Sequence, residues 1–484
     1  MKKSIRRNYV YSLFYMIVNT VFPLITAPYI SRILGATLLG EVNFATSTAT
    51  WFASIASFGI TNYGVRAVAE VRDDKEKTAM VFTELILINA LMVAVTAVVY
   101  FGAVMIVPQF RQSFGFMLIA SVTLLLNVFM IDWFFQGIEE FKFITVRNTI
   151  VKLVSVICIF LLINGQEDAM LYAGISVLGV CINNVVNFLY VRKRTCFSYA
   201  NCRPFRHMKH LLVYGSANLA GTLYSTFNRV QLGLLAPYSY VAFFQRSNMV
   251  VTVALSVMYA LSKVVTARAT YAYAKGEVQV FRGLVQKSYN MVCMLSFPIM
   301  LGLAAVSRPV MYVLGGEEFA AVSSILMVLA AVILPSGLAN WSYSQIIIPL
   351  GKEKVHLVAQ CVAAGLSLVL NSLLIPVIPA YACAVSLFVS EMTVVVIEVI
   401  CAAKAGVKVH LLQQGMVISL FASCIMFVAV CLLQKMLNAN NLPILIAIVV
   451  CGVGIYGGIM LLFKEPVTIS IWNQLLGRLR RRSQ

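Results

Sequence analysis

Long apolar runs are the feature that most limits how this chain can fold. Mostly apolar stretches of about 20 residues recur along the whole sequence, and each is long enough to cross a bilayer as an α-helix. Only 11% of the residues are charged and 61% are hydrophobic, more than a water-soluble core of 484 residues needs. A transmembrane β-barrel would instead show short alternating segments. The sequence therefore predicts an all-α integral membrane protein.

Fourteen apolar spans can be counted, which predicts about 14 transmembrane helices. They run approximately over residues 9–30, 42–62, 81–107, 114–136, 149–164, 169–190, 211–235, 241–262, 289–306, 319–349, 355–376, 380–403, 414–434 and 443–463. The span at 319–349 is overlong and is interrupted by Pro335. The connections between the spans are short, so no inserted soluble domain is expected.

The distribution of basic residues predicts the orientation of these spans. If the N-terminus is cytoplasmic, 31 of the 37 Lys and Arg residues fall in inner segments and four fall in outer loops. The remaining two, Arg229 and Arg246, lie within spans. Cytoplasmic loops carry such an excess of Lys and Arg. Both termini are thus predicted to be cytoplasmic, and the formal net charge of +19 indicates topology rather than nucleic-acid binding.

The basic connection at 192–210 is the natural boundary between two halves. We predict an N-terminal six-helix bundle over 1–210, a C-terminal six-helix bundle over 211–403, and two additional helices over 404–463. The bundles would be parallel pseudo-repeats, because an even number of spans returns the chain to the same side. Residues 464–484 are predicted to form a basic amphipathic cytoplasmic tail that lies on the inner leaflet, with a disordered basic tail as the alternative.

Two arginines at membrane depth are the leading candidate site residues. Arg229 and Arg246 lie on either side of a short outer hairpin, so they should sit at similar depth. Guanidinium groups bind phosphate oxygens in a bidentate way, so the two residues could hold a di-anion. The alternative is that both reach the outer interface, or that they pair with Glu391 of span twelve.

Other charged residues give further candidates. Arg32 has a local partner in Glu41 across the first outer hairpin, and this pair is interpreted mainly as structural. Glu391, the carboxylate nearest mid-membrane, could bind a proton or cation or balance the arginines. Glu41 and Asp132 are kept with it as candidates for ion coupling or counter-charge. Three carboxylates near the inner ends of spans can be solvated, so structural pairing is the preferred interpretation for Glu84, Asp132 and Glu398.

No motif in the sequence supports catalysis or cofactor binding. The stretch GVGIYG, residues 452–457, matches a dinucleotide-binding pattern but lies inside the last span, without the preceding strand that the pattern requires. The four histidines fall in short polar loops, so a zinc site has almost no support. We expect a protein that is not an enzyme and that uses neither a cofactor nor a metal.

Two stretches of the N-terminal third carry a family resemblance. They are ITAPYISRILGATLLGEVNFATSTATWFASIASFGITNYGVRAVAEVRDD, residues 25–74, and IDWFFQGIEEFKFITVRN, residues 131–148. Both resemble the polysaccharide transporter or O-antigen (lipid-linked oligosaccharide) flippase family of the multidrug/oligosaccharidyl-lipid/polysaccharide (MOP) exporter superfamily. The stretch APYSYVAFFQRSN, residues 236–248, is shorter than the family's loop and lacks its acidic residues.

The resemblance implies a flippase for undecaprenyl-pyrophosphate-linked oligosaccharide repeat units in the bacterial plasma membrane, serving O-antigen, capsule or exopolysaccharide synthesis. It implies a V-shaped architecture like that of multidrug and toxic compound extrusion (MATE) transporters, with alternating access through a cationic central cavity. Arg229, Arg246 and Arg32 would contact the pyrophosphate. Membrane lipids, a repeat-unit polymerase and a chain-length regulator are candidate partners.

Two other functions compete with this interpretation. A multidrug or cation antiporter would have about twelve spans and buried carboxylates in its N-terminal half. Glu84 and Asp132 of that half give poor support, because both lie near inner ends. A membrane enzyme such as a repeat-unit polymerase or ligase would call for a large outer loop, and every predicted outer loop is short.

Overall fold

All regular secondary structure in the described part of the chain is helical. The computed structural model describes residues 5–199, 202–407, 409–410, 413–437 and 441–463. Twenty α-helices follow one another there, joined by 3₁₀ turns, one π turn and loops. The prediction of an all-α protein is confirmed. The predicted tail at 464–484 lies outside the described residues.

The helices have the following bounds. The first ten are α1 (Ile5–Ser57), α2 (Ile60–Val71), α3 (Lys75–Ile106), α4 (Pro108–Gln112), α5 (Phe114–Leu125), α6 (Asp132–Gly137), α7 (Phe141–Leu162), α8 (Ala169–Val191), α9 (Met208–Ser225) and α10 (Phe227–Leu235). The others are α11 (Tyr238–Ala274), α12 (Val278–Ala305), α13 (Ser307–Gly315), α14 (Glu317–Ala320), α15 (Ser324–Ala330), α16 (Ile333–Ser342), α17 (Glu353–Leu374), α18 (Pro379–Lys404), α19 (Gln414–Met436) and α20 (Leu442–Leu462). The 3₁₀ turns lie at Leu126–Phe129, Gln166–Asp168 and Pro204–His207, and the π turn lies at Tyr343–Ile347.

Twelve segments among the described residues are long and apolar enough to cross a membrane. The predicted count of fourteen is not confirmed, and the difference arises at two places. Val21–Val71 forms one segment of 51 residues that contains a break at Gly35 (φ 69°, ψ 173°). If straight it would extend for about 75 Å, against roughly 30 Å of hydrocarbon core. The predicted span 211–235 is divided near Thr226 into α9 and α10 and is not among the twelve.

By packing, the chain divides into two units. The first comprises Met1–Gln245 and Asn371–Pro379, and the second comprises Arg246–Leu370 and Ala380–Gln484. The limits of the two units are defined by the contacts within each unit. They do not test the predicted boundaries of the helix bundles at residues 210, 403 and 463, which stay predictions.

An aromatic cluster forms part of the core of the first unit. Trp133, Phe134 and Phe135 of α6 are at most 1% exposed and belong to one cluster with Phe82 of α3. Gly64 of α2 lies so close to Trp133 that an added Cβ would overlap the indole ring. This packing fixes α6 against α2 and α3. The same packing fixes the position of Asp132, the first residue of α6.

Within the same unit, the part of α1 that follows the break packs against α10 and the start of α11. A Cβ added to Gly40 would overlap the carbonyl oxygen of Tyr238, and one added to Gly233 of α10 would overlap the Phe44 ring. The rings of Phe44 and Tyr238 stack with 5.3 Å between their centroids. Small residues at such contacts allow helix backbones to approach closely.

The second unit has a core around Trp341 and Phe297. The predicted interruption of the overlong span is confirmed, because residues 319–349 are divided among α14, α15, α16 and the π turn. Pro335 is the third residue of α16. Proline is tolerated in the first turn of a helix, where a backbone N–H has no intrahelical partner.

Candidate substrate cavity

Arg229 is half-buried in α10, within the first unit. Its Nη1 donates a hydrogen bond to Oε1 of Gln245 at 2.6 Å. Its Nε is buried and has no hydrogen-bond partner among the described residues. A buried N–H without an acceptor carries a desolvation cost, so this guanidinium retains the capacity to bind an anion.

The other residues predicted for the site lie in different places. Arg246 is 7% exposed in α11 and belongs to the second unit, so its joint role with Arg229 stays a prediction. Glu391 is half-buried in α18, beside Ser336 of the same unit. Arg32 is exposed just before the break in α1, whereas Glu41 is half-buried after it. The ion pair predicted between these two residues also stays a prediction.

Asp132, the first residue of α6, belongs to a buried polar cluster with α7 and α8. Its Oδ1 accepts from Nη2 of Arg147 at 3.0 Å and from Nδ2 of Asn187 at 2.8 Å. Arg147 is 7% exposed, and its Nε donates to Oδ1 of Asn183 at 2.9 Å. The structural pairing predicted for Asp132 is confirmed. Its partner is a guanidinium that the pattern of basic residues had assigned to an inner connection.

One nitrogen of the Arg147 guanidinium is not used in hydrogen bonding. Its Nη1 is buried without a hydrogen-bond partner among the described residues. The guanidinium carbon lies 5.5 Å from the centroid of the Phe143 ring, which adds a cation–π contact. Asp132 and Asn183 therefore hold the guanidinium in one orientation and leave the NH₂ group at Nη1 unused. Arginine in such a setting suits the recognition of phosphate oxygens.

This cluster lines a cavity of about 420 Å³ between α1, α7 and α8. The cavity also contains Lys152, which is half-buried and has no ion-pair partner within the described part of the chain. Two cations thus face it, with Asp132 as the one carboxylate in its lining. Intramembrane charges are costly and usually face a cavity or a partner. The net charge of this lining is therefore positive.

A second cavity, of about 550 Å³, adjoins the first. The two share several wall residues, among them Tyr172, Ser176 and Asn184. No charged residue lines the second cavity. Its polar groups are amides and hydroxyls, which belong to Asn43, Thr46, Thr50, Ser54, Ser57, Thr61, Asn62, Thr123, Asn127, Tyr172, Ser176 and Asn184. Groups of this kind both donate and accept hydrogen bonds, as sugar hydroxyls require.

Sequence reasoning missed Arg147 because hydropathy placed the start of the fifth span at residue 149. It missed Lys152, which lies inside that predicted span, because this residue was counted with the inner segments. The helix begins earlier, at Phe141, so both basic residues lie inside it. One signal was available in the sequence. Asn183, Asn184 and Asn187 lie on one face of a strongly apolar helix, and three amides at that spacing indicate a polar surface.

Glu84 is buried rather than solvated, which corrects the prediction. It is 0% exposed in α3 and accepts hydrogen bonds from the turn that precedes α9. The donors are the backbone N–H of Arg203 at 2.7 Å, Nε of Arg206 at 2.9 Å and Nε2 of His207 at 2.8 Å. The structural pairing that was predicted is confirmed. The buried carboxylate fixes the basic connection to the first third of α3.

Glu398 of α18 is likewise 0% exposed, so its predicted solvation is also wrong. It accepts from Oγ of Ser342 at 2.5 Å and contacts Nδ1 of His356 at 2.6 Å, all within the second unit. His356 lies in the first turn of α17 rather than in a loop, and its ring stacks on Tyr343. Among the described residues, no group of three or more His, Cys, Asp or Glu side chains could hold a metal ion.

Many membrane-spanning helices with buried charges around polar cavities are typical of a membrane transporter. Comparisons with solved structures bear on the fold. The chain is similar to the lipid II flippase MurJ in an inward closed conformation, with a TM-score of 0.73 and 13% identity, over 95% of this chain and 99% of that one. It is also similar to an inward-facing MATE transporter of the MOP superfamily, with a TM-score of 0.64 and 13% identity, over 82% and 98% of the two chains. At such identities these likenesses establish the fold.

The family model for polysaccharide biosynthesis proteins matches residues 5–267, and the chain belongs to that family. It is 24% identical over 350 residues to a "Putative O-antigen transporter" of Shigella dysenteriae, over 70% of this chain and 84% of that protein. It is 25% identical over 257 residues to a protein of the same description from Escherichia coli K12, over 51% of this chain and 60% of that protein. These relatives are transporters and flippases rather than enzymes, as the sequence predicted.

Proposed function

We propose that the protein is a flippase for undecaprenyl-pyrophosphate-linked oligosaccharide repeat units in the bacterial plasma membrane. The observation that carries this proposal is the cationic cavity at Arg147 and Lys152, which adjoins a cavity lined only by neutral groups. The first has the charge that a pyrophosphate requires. The second has the donors and acceptors that an oligosaccharide requires.

The mechanism that we propose is alternating access. The sugar-pyrophosphate head would cross through the cationic cavity while the lipid tail stays in the bilayer. Arg229, with its unused buried N–H, is proposed as a further pyrophosphate contact on this path, together with Arg246 and Arg32. Glu391 and Glu41 are proposed to provide counter-charge or ion coupling. We assign Asp132 to positioning Arg147, because two donors already occupy its Oδ1.

A cation antiporter fits the cavity less well. Cation binding favours carboxylates that are free to lose and gain charge. Asp132 is already bound by a guanidinium, and Glu84 is occupied by the turn at 203–207. For the flippase, we propose that a repeat-unit polymerase and a chain-length regulator act on the product outside the membrane, with both termini of this chain on the cytoplasmic side.

The test is genetic complementation with a charge-specific variant. In a strain that lacks this gene, we would measure surface polysaccharide and the lipid-linked oligosaccharide that accumulates inside. Arg147→Gln should lower polymer output at least about tenfold, which corresponds to about 1.4 kcal/mol of lost interaction. Arg147→Lys should recover part of it, because a positive charge remains without the fork of donors.

Arg111→Gln is the matched control, because Arg111 is exposed in a predicted outer connection. It should leave both quantities at the level of the unaltered protein. Variants are compared at equal amounts in the membrane. If deletion of the gene leaves polymer and intermediate unchanged, the flippase proposal is wrong. If deletion has the expected effect but Arg147→Gln does not, the cavity assignment fails alone.

A further inference from the structure

A groove of about 800 Å³ lies between α7 and α8 of the first unit. Its middle is lined by Val146, Ile150, Val154 and Ile182, each of which is between 42% and 55% exposed. Along α7 it extends from Lys142 to Ser155, or about 20 Å at 1.5 Å per residue. In a membrane-spanning hairpin, exposed aliphatic side chains of this kind face lipid chains rather than water.

One end of the groove is charged. Lys142 is exposed there and has no ion-pair partner among the described residues, whereas Glu140 binds Arg194 at 2.7 Å. The rings of Phe143 and Tyr190 stack at 3.9 Å between centroids and close the gap between the two helices at this end. The distribution of Lys and Arg predicts that this end is cytoplasmic. An apolar groove that leads to an unpaired cation is complementary to a lipid with an anionic head.

Arg147 connects this groove to the cationic cavity. The side chain of Arg147 lines both the groove and the cavity. The side chain of Ser155, about two helical turns further along α7, also lines both. Gly179 of α8 lies against Ser155, where an added Cβ would approach its Oγ closely. The wall between the lipid-facing groove and the polar cavity is therefore thin at this point. The buried, unused Nη1 of Arg147 lies on the side chain that forms this wall.

We propose that the groove between α7 and α8 binds the polyprenyl chain of the lipid diphosphate substrate, with the first isoprene units at the charged end and the diphosphate at Arg147. This inference rests on the proposed function and adds a site for the tail and a side of entry for the head. The occupant is the substrate rather than bulk phospholipid, because Arg147 joins the groove to a cationic cavity of about 420 Å³ whose charge is complementary to a diphosphate head. A phospholipid head would end at Lys142 on the rim.

The experiment uses the full chain in nanodiscs of bacterial phospholipids and a polyprenyl diphosphate that carries a diazirine near its first isoprene units. After irradiation, cross-linked peptides are identified by mass spectrometry. Labelling should concentrate on residues 142–155 and 182–190. The double variant Ile150→Trp/Val154→Trp fills the groove and should lower this labelling about tenfold. Leu161→Trp is the matched control, since Leu161 is 70% exposed on the same helix and does not line the groove.

A competition experiment with unlabelled lipids shows whether the groove binds the substrate lipid or a phospholipid. Unlabelled polyprenyl diphosphate should displace the probe, and an equal amount of phosphatidylglycerol should not. If phosphatidylglycerol displaces it equally well, the groove is a phospholipid site and the proposal is overturned. Labelling spread evenly over all lipid-facing helices would overturn it as well. This assay needs no transport, so specific labelling in a protein that fails the complementation test would refute the flippase function and leave the groove as a lipid site.

Discussion

Two carboxylates, one in each unit, are fully buried and are hydrogen-bonded to nearby polar groups. Glu84 is held by the turn at 203–207, and Glu398 is held by Ser342 and His356. A buried charge is tolerated when it is paired and hydrogen-bonded. Both acids are therefore already occupied by partners within their own unit, and neither lines the cationic cavity.

The hydrogen bonds of His207 predict a pH-dependent docking of the turn at 202–207. Its Nδ1 lies 2.7 Å from the Tyr63 hydroxyl and its Nε2 lies 2.8 Å from Glu84, which suits a neutral ring. Burial lowers the pKa of His207, with Arg206 and His210 acting in the same direction, while Glu84 opposes the shift. The open turn therefore binds a proton more readily than the docked turn. Docking should be complete above about pH 6.5, the usual histidine pKa, and should weaken as the pH falls through the lower docked value.

Hydrogen exchange of peptides over 202–210, corrected for the intrinsic effect of pH on exchange, measures this docking. Protection should be higher at pH 7.5 than at pH 5. His207→Gln should remove the difference, because glutamine does not titrate in this range. His410→Gln should keep it, since His410 is exposed and belongs to the second unit. Equal protection of the unaltered protein at both pH values would contradict the assignment.

At the scale of helices, the close approach of α1 to the start of α11 depends on Gly40. Gly40→Ala should destabilise the protein by about 1–3 kcal/mol, the usual cost of overpacking, because the added Cβ meets backbone rather than a movable side chain. Gly102→Ala is the control, since nothing lies within 4 Å of the position of its Cβ. In α3 that change should be neutral or stabilising by up to about 1 kcal/mol. Thermal unfolding in detergent, followed by size-exclusion chromatography, compares the two. Equal unfolding temperatures would refute the packing role of Gly40.

The helices were predictable where apolar residues alone determine them, and the predictions failed where charge and apolar residues share a helix. The apolar run of α8 is unambiguous, because no charged residue interrupts it. The start of α7 was placed eight residues late, since Lys142 and Arg147 lower the local hydropathy. Arg147 is stabilised there by Asp132, 15 residues earlier, and by Asn183, 36 residues later. Such partners are brought together by the fold and cannot be read from the local sequence.

For the whole molecule, sequence predicted an all-α transporter of the MOP superfamily, and the family and the fold are confirmed. The candidate site was predicted less well. Arg229 has an unused donor, and Asp132 of the cavity lining was a candidate, but the two cations of that lining, Arg147 and Lys152, were not recognised. The reason is physical, because a cavity depends on which helix faces meet. Hydropathy indicates where apolar spans lie along the chain, and it does not indicate which spans pack against one another.

The orientation predicted for the whole chain has a direct test in the segment 208–235. Because α9 and α10 are separated at Thr226, this segment crosses the membrane only if the two helices act as one span. If it crosses, Lys193 and Lys275 lie on the same side, since two crossings separate them. If it does not, they lie on opposite sides and the excess of Lys and Arg on one side is lost. We therefore expect a cytoplasmic position for both residues.

Cysteine substitutions in the full chain, made after replacement of the native cysteines, and an impermeant maleimide applied to intact cells measure this directly. Arg111→Cys should react from outside, as should Thr37→Cys beyond the break at Gly35. Lys193→Cys and Lys275→Cys should react only after the membrane is permeabilised, because the predicted cytoplasmic segments hold most of the basic residues. All four positions are exposed, so a lack of labelling reports sidedness rather than burial. Labelling of Lys275→Cys in intact cells would mean that every connection after α10 lies on the side opposite to the predicted one. The C-terminus would then not be cytoplasmic.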